Sequence, residues 1–195
     1  MIICTLLIGS CVILFTCILL TSLTPTQTKF QIADSFNIFQ KTFFFNAPCE
    51  GCCRDISEGA LAVAQQNAHT LGVDVNFEQR DLLQPWHLPA QSIDLIVSNP
   101  PYICENEAEH MEQNVINHEP HTALFVPNAD PLRFYHALAQ GAAQTLTKGG
   151  ALLTEINRAF AQETADAFAQ AGLQDAEVRR DVFGNERMVG AFAGL

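Results

Sequence analysis

The sequence predicts an α/β fold with a mostly parallel sheet and one antiparallel strand near its end. From residue 55 onwards, segments with apolar residues at every third or fourth position alternate with short apolar runs. This alternation is typical of helices and strands in a parallel sheet. The last two runs, 176–182 and 187–192, are separated by only four residues. A connection this short permits an antiparallel strand pair but not a parallel one.

The first helix is predicted to begin after Asp55 and to stop at Gly72. Ser57 can cap its first turn, and glycine readily adopts the left-handed conformation that often ends a helix. Residues 73–77 then alternate as a short strand, and 93–97 form the next apolar run. Apolar residues recur at helical spacing along this helix, at Leu61, Ala64, Ala68 and Leu71.

A second helix is predicted from Asp130-Pro131, because a capping carboxylate followed by proline is typical of a helix start. We expect Lys148-Gly149-Gly150 to end it, before a buried strand over 151–156. A third helix is predicted over 160–171, where Gly172 would stop it. The apolar face of the second helix consists of Leu132, Tyr135, Leu138, Ala142 and Leu146.

Residues 1–54 differ sharply in composition from residues 55–195, so we expect a boundary near residue 54. The first segment is apolar, rich in cysteine and phenylalanine, and holds six of the seven cysteines of the chain. It has no charged side chain before Lys29. Cys49, Cys52 and Cys53 lack a second pair of ligands at zinc-site spacing, so no metal site is expected.

The stretch Met1–Leu23 is apolar and long enough to span a bilayer, but it lacks flanking basic residues. Three interpretations stay open: a membrane anchor, a buried or adventitious apolar segment, or foreign sequence from a shifted reading frame or a misassigned start. We favour the third. Membrane association is therefore expected only if residues 1–23 are a genuine span, and otherwise a cytoplasmic location.

The overall charge limits the class of partner. The chain has 195 residues and a formal net charge of −11, which argues against a broad phosphate-binding surface and direct binding of nucleic acid. An acidic chain can still bind a protein partner that presents a basic face.

Asn99-Pro100-Pro101-Tyr102 is the most informative string in the chain. It directly follows the apolar run 93–97, so it is predicted to form a rigid turn at the carboxyl end of a buried strand, where open α/β sheets bind ligands. The two prolines fix two φ angles and remove two backbone donors. They hold Asn99 on a stiff support, and its amide group both donates and accepts hydrogen bonds. This arrangement suits the binding of a planar amide or amino group.

Two acidic residues are candidates for binding a nucleoside. Asp55, before the first helix, could accept hydrogen bonds from ribose hydroxyls, or it could simply cap the helix with Ser57. Asp81, followed by Leu82, could face an adenine ring, or it could be a surface carboxylate at a strand end.

The remaining polar clusters carry weaker signals. His110, His118 and His121 lie in a polar stretch without a partner pattern, and we expect solvated or supporting roles. The segment Phe183–Arg187 places polar groups at a hairpin tip, where glycine and asparagine are also ordinary turn residues.

Four segments taken together resemble the HemK family, the release-factor glutamine N5-methyltransferases. They are Asp55-Ile56-Ser57 with the helix after it, Val97–Ile103, His118–Phe125 and Asp181–Arg187, and they occur in the family's order over residues 55–195. Asn-Pro-Pro-Tyr alone also occurs in DNA adenine methyltransferases. The two downstream segments make the protein-methylating family the more specific match.

The resemblance implies the C-terminal part of a class I S-adenosylmethionine-dependent methyltransferase with a Rossmann-like sheet. It implies that Asp55, Asp81, Leu82 and Asn99 contact S-adenosylmethionine. It also implies that Asn99, Pro100, Pro101 and Tyr102 bind the substrate glutamine and carry the catalysis. The expected substrate is the glutamine of the Gly-Gly-Gln loop in class 1 peptide chain release factors.

The family's first strand and glycine-rich cofactor turn have no counterpart that we recognise in residues 1–54, where Gly9 and Gly51 are isolated. We therefore expect weak cofactor binding and negligible methylation. We also expect a sheet that lacks its first strand and is prone to aggregate, unless residues 30–54 supply a substitute strand. Two alternatives remain: an adenine N6-methyltransferase acting on nucleic acid, and a non-catalytic, membrane-anchored or vestigial fragment.

Overall fold

The computed structural model describes residues 2–6, 51–111 and 120–194. These residues form a seven-stranded sheet with helices packed on it, and a separate two-stranded sheet. The strands are β1 (Ile2–Leu6), β2 (Gly51–Asp55), β3 (Val75–Gln79), β4 (Ile93–Asn99), β5 (Ile103–Cys104), β6 (Phe125–Val126), β7 (Leu146–Glu155), β8 (Gln174–Arg180) and β9 (Glu186–Phe192). The α-helices are α1 (Glu58–Leu71), α2 (His121–Leu124), α3 (Arg133–Thr145) and α4 (Ala161–Gln170), with 3-10 turns at Glu105–His110 and Arg158–Phe160.

The strand order in the large sheet is β3-β2-β1-β4-β7-β9-β8. The pairs from β3 to β7 are parallel, and β9 is antiparallel to both β7 and β8. The predicted class, a mostly parallel sheet with one antiparallel strand, is confirmed. The order reverses between β1 and β4, and open α/β sheets bind ligands at the carboxyl ends of such strands.

The expectation of a missing first strand is wrong for this structure. Ile2–Leu6 lies between β2 and β4 and pairs in parallel with both, with Leu6 opposite Asn99. Ile2, Ile3 and Thr5 are β-branched, which favours an extended conformation. The sheet therefore has no open edge at this position. The division proposed near residue 54 stays a prediction; in the structure that position falls inside β2.

Helix α1 forms as its sequence predicts. Ser57 Oγ accepts a hydrogen bond of 3.2 Å from the Ala60 backbone, and Gly72 ends the helix with φ = 68°. Leu61, Ala64 and Ala68 are buried. Leu71 differs from the prediction, because 42% of it is exposed at the last turn.

Helix α3 begins at Arg133, two residues after the predicted proline, and has no side-chain cap. It ends at Thr145, and β7 starts at once, so Lys148–Gly150 lie in the strand and do not end the helix. Tyr135, Leu138 and Ala142 are buried as predicted. They pack into the main core with residues of β4, β7, β9 and α4.

Trp86 seals one side of this core by lying against Gly141 of α3. A Cβ added to Gly141 would overlap the indole ring. The helix therefore depends on glycine here for close approach, not for a special backbone conformation.

No helix within the described residues is long and apolar enough to cross a membrane. The predicted span Met1–Leu23 falls outside those residues except for β1. The expected roles of Gly9, Cys49 and His118 also concern residues outside the described part.

Candidate active site

The Asn99–Tyr102 turn lies at the carboxyl end of β4, as predicted, between the neighbouring strands β1 and β7. Pro100 and Pro101 are buried, whereas Asn99 and Tyr102 are half-buried. A strand on either side and two buried prolines hold Asn99 in place. The structure therefore offers the asparagine side chain on a support that can move little.

The carbonyl oxygen of the Asn99 side chain, Oδ1, is buried and has no hydrogen-bond partner in the described structure. An unsatisfied buried acceptor costs roughly 1–3 kcal/mol. A ligand with an N–H or O–H group at this position would remove that cost. Asn99 is thus arranged to accept a hydrogen bond from a bound molecule.

Asp55 ends β2 and is 3% exposed. Its Oδ1 accepts a hydrogen bond of 2.7 Å from the Ser57 backbone, while Oδ2 is buried and has no partner among the residues that the structure describes. Burial raises the pKa of this carboxyl to about 6, against the lowering effect of the backbone hydrogen bonds from Ser57 and Ile56. One oxygen therefore supports the start of α1, and the other is available to a ligand.

A cavity of about 250 Å³ lies beside Asp55 at this edge of the sheet. Asp81 and Leu82 line it from the turn after β3, where Asp81 Oδ1 accepts a hydrogen bond of 2.9 Å from the Leu83 backbone. Ser98, the residue before Asn99 in β4, also lines the cavity. The structure thus brings three of the four predicted cofactor residues, Asp55, Asp81 and Leu82, to one cavity, and Asn99 is not among its lining residues. The roles of all four in binding stay predictions.

Part of the cavity lining was not predicted from the sequence. It comes from the segment around β6, which pairs with β5 directly after the Asn99–Tyr102 turn. Strands of two residues have no periodic pattern, so only the pairing reveals this part of the lining. The lining residues from this segment and the start of α3 are Thr122, Phe125, Pro127, Arg133 and Phe134. Arg54 of β2 also lines the cavity.

A chain of polar contacts connects the turn to the hairpin of β8 and β9. The Tyr102 hydroxyl donates to Glu155 Oε1, and Arg187 contacts both Glu155 at 3.4 Å and Asp181 at 3.7 Å. Asp181 Oδ1 accepts from the backbones of Phe183 and Asn185 at 2.9 Å each, so it closes the hairpin turn. The predicted Asp181–Arg187 segment is therefore a turn that is also tied to the site.

The histidines and cysteines form no comparable constellation within the described residues. His121 is exposed and its ring lies 4.7 Å from that of Phe125. Cys52, Cys53 and Cys104 are buried thiols, and no three metal-binding side chains cluster in residues 2–6, 51–111 and 120–194.

The cavity and the side chains that line it fit the adenosyl part of S-adenosylmethionine. The unpartnered Asp55 Oδ2 can accept hydrogen bonds from ribose hydroxyls, and Leu82 and Phe125 supply apolar surface for a planar base.

Comparison with known proteins shows that the chain is similar to methyltransferases. Residues 46–124 match the family model of the methyltransferase small domain. The chain is 42% identical over 137 residues to a release factor glutamine methyltransferase of Bacteroides thetaiotaomicron, covering 70% of this chain and 49% of the relative. A relative of the same name from Cereibacter sphaeroides is 42% identical over 169 residues, which cover 86% of this chain and 60% of the relative.

Solved structures show the fold. A methyltransferase from Pyrococcus furiosus has a TM-score of 0.53 at 15% identity, covering 83% of this chain and 69% of that chain. TrmN from Thermus thermophilus has a TM-score of 0.50 at 16% identity, and the match covers 98% of this chain and 43% of TrmN. Both contain the Rossmann-like α/β arrangement described above.

The chain spans about half the length of the curated relatives that it matches, 49% of the Bacteroides thetaiotaomicron protein and 60% of the Cereibacter sphaeroides protein. The similarity to known proteins extends to residues before 55, which the resemblance described from the sequence did not cover. The domain match begins at residue 46, and the 169 aligned residues exceed the number in 55–195. The chain is therefore a homologue of the release factor glutamine methyltransferases and contains a methyltransferase domain with a Rossmann-like fold.

Proposed function

We propose that this chain transfers a methyl group from S-adenosylmethionine to the side-chain amide nitrogen of the Gly-Gly-Gln glutamine in class 1 peptide chain release factors. The observation that carries the proposal is Oδ1 of Asn99 at the carboxyl end of β4, which is buried and has no hydrogen-bond partner among the described residues. The names of its curated relatives support the same reaction. Because release factors act in translation, the proposed location is the cytoplasm.

The reaction needs the site to overcome a weak nucleophile, since the lone pair of an amide nitrogen is delocalised into the carbonyl. The substrate NH₂ would donate to Asn99 Oδ1 and to the Pro100 carbonyl, which fixes both of its hydrogens. Tyr102 would pack against the glutamine side chain. Bound S-adenosylmethionine supplies the activated methyl group. Positioning of this kind accounts for much of the rate when two reactants must meet in line.

The cofactor is proposed to lie in the cavity between β2, β3 and the β6 segment. Asp55 Oδ2 would accept from the ribose, and Asp81 and Leu82 would face the adenine. These assignments rest on the shared cavity and on the family's pattern at the same positions.

We also propose that cofactor affinity is weak in this chain, because residues 7–54 contain only isolated glycines where the family has a glycine-rich turn. Calorimetry with S-adenosylmethionine tests this directly. A dissociation constant in the micromolar range would contradict it.

The methyl transfer is tested separately, with enzyme in excess and millimolar S-adenosylmethionine, so that weak affinity does not hide it. Mass spectrometry of a class 1 release factor should show one added methyl group on the Gly-Gly-Gln glutamine. Asn99→Ala should lower the rate by about 100-fold, since it removes the positioning acceptor. Gln66→Ala, an exposed amide on α1, is the matched control and should leave it unchanged. Methylation of adenine in DNA, with the release factor unmodified, would contradict the proposal.

A further inference from the structure

Asn157 lies two residues after β7 and is only 7% exposed. Both polar atoms of its side chain are fully used. Nδ2 donates to the Tyr102 carbonyl at 2.9 Å and to Glu107 Oε1 at 2.7 Å, and Oδ1 accepts from the Ala159 backbone at 2.9 Å. The side chain therefore connects the end of β7 to the turn that carries Asn99.

Glu107 extends this connection. The oxygen that accepts from Asn157 also accepts a hydrogen bond of 2.9 Å from the Cys104 backbone. Asn157 thus holds the segment after Asn99 at two points, the Tyr102 carbonyl and the 3-10 turn that contains Glu107. A segment fixed at two points cannot pivot about either of them.

The core anchors the other end. The Asn157 backbone N–H donates to the hydroxyl of Tyr135 at 3.1 Å, and Tyr135 is fully buried in α3. The contact therefore transmits the position of the packed core to the turn.

We propose that Asn157 is a positioning residue that holds the Asn99–Tyr102 turn in the orientation needed to grip the substrate amide. The proposal rests on the proposed function for its catalytic consequence, but its structural part stands alone. An asparagine is required because two acceptors, a carbonyl and a carboxylate, share its one NH₂ group. Aspartate has the same shape but would place a second carboxylate beside Glu107.

The kinetic test compares Asn157→Asp with the parent chain, again with enzyme in excess and millimolar S-adenosylmethionine. We expect the rate of methyl transfer to fall by about 10- to 100-fold, as for a misplaced reacting group. The dissociation constant of S-adenosylhomocysteine should change by less than about twofold, because Asn157 does not line the cofactor cavity. If Asn157 only stabilised the fold, the rate of methyl transfer and the affinity for S-adenosylhomocysteine would fall together.

The structural test is hydrogen exchange of the peptide that covers residues 99–111. Asn157→Asp should speed exchange at Cys104, whose N–H is held by Glu107. Gln162→Glu, which removes an exposed amide–carboxylate contact of 2.9 Å on α4, is the matched control.

Unchanged exchange at Cys104 in a folded Asn157→Asp variant would overturn the proposal, as would parallel losses of rate and cofactor affinity. If the parent chain transfers no methyl group but exchange still responds to Asn157→Asp, the proposed function fails while the positioning contact stands. Asn157→Ala serves as the second variant and should give the same faster exchange.

Discussion

The hydroxyl of Tyr102 donates a hydrogen bond of 3.0 Å to Oε1 of Glu155, and this contact joins the turn after β4 to the end of β7. Burial, followed by the charge of Glu155, raises the pKa of Tyr102 well above its usual range. The hydroxyl therefore stays protonated and remains a donor at any physiological pH. Tyr102 thus holds the turn in two ways. Its side chain bonds to Glu155, and its backbone carbonyl accepts a hydrogen bond from Asn157.

Tyr102→Phe should lower the free energy of unfolding by about 1 kcal/mol, because Glu155 loses a hydrogen bond in a partly buried setting. Urea denaturation measures this change. Glu155→Gln is the control, since its amide oxygen can still accept from Tyr102, and it should cost less. Equal midpoints for Tyr102→Phe and the parent chain would show that the contact contributes nothing.

Asp55→Asn should stabilise the fold at neutral pH. In the unfolded chain this carboxyl ionises near pH 3.9, whereas in the folded chain its pKa is raised to about 6. Stability therefore falls as pH rises between about 4 and 6, since the unfolded state releases its proton first. Removing the charge should add about 2–3 kcal/mol above pH 6.

The measurement for Asp55→Asn is denaturant unfolding at pH 4, 5, 6 and 8. Asp74→Asn, at an exposed position, controls for the change in net charge. A variant less stable than the parent at pH 8 would contradict the argument.

Cofactor affinity should depend on whether the Asp55 carboxyl is protonated. Ionised Asp55 is the better acceptor for ribose hydroxyls, so the affinity for S-adenosylhomocysteine should weaken by up to about tenfold per pH unit below pH 6. Titration calorimetry over pH 5–8 detects this slope. In Asp55→Asn the affinity for S-adenosylhomocysteine should be lower and should not depend on pH. If the affinity of the parent chain is constant over this pH range, Asp55 does not contact the ligand.

Gly141→Ala should destabilise the protein, although alanine is the better helix former by about 1 kcal/mol. The added methyl group overlaps the Trp86 ring, and overpacking of this kind costs about 1–3 kcal/mol. Gly59→Ala on α1 is the matched control, since its nearest neighbour is at an ordinary 3.8 Å, and it should stabilise by about 0.5 kcal/mol. Thermal unfolding of both variants gives the comparison, and a gain of stability in Gly141→Ala would contradict it.

Local signals along the chain were sufficient for much of the fold. Ser57 and Gly72 mark α1 because capping and left-handed backbone depend only on neighbouring residues. Helix α3 was placed with less accuracy at its ends. Its predicted stop at Lys148–Gly150 falls inside β7, at the point where the register against β4 shifts between Leu146 and Ala151. Gly149 keeps a left-handed φ of 74° there, so the local preference of glycine is used for an irregularity of the strand and not for a helix end.

The first strand shows the opposite case. The β-branched residues among 2–6 favour an extended conformation, but the apolar run by itself does not distinguish a central strand from the start of a membrane span. Parallel pairing with β2 and β4 determines their conformation. Strand partners remote in sequence are invisible to any local pattern.

For the candidate site, the sequence by itself placed Asp81 and the Asn99–Tyr102 turn after strands, and Asp55 before the first helix. Only the tertiary structure decided which of their atoms are free. Within the described part of the chain, Asp55 Oδ2 and Asn99 Oδ1 have no partners, while Tyr102 is held by Glu155 and Asn157, which lie 53 and 55 positions away. The physical reason is that strand ends follow from local backbone chemistry, whereas the pairing of buried polar atoms depends on packing between segments far apart in the chain.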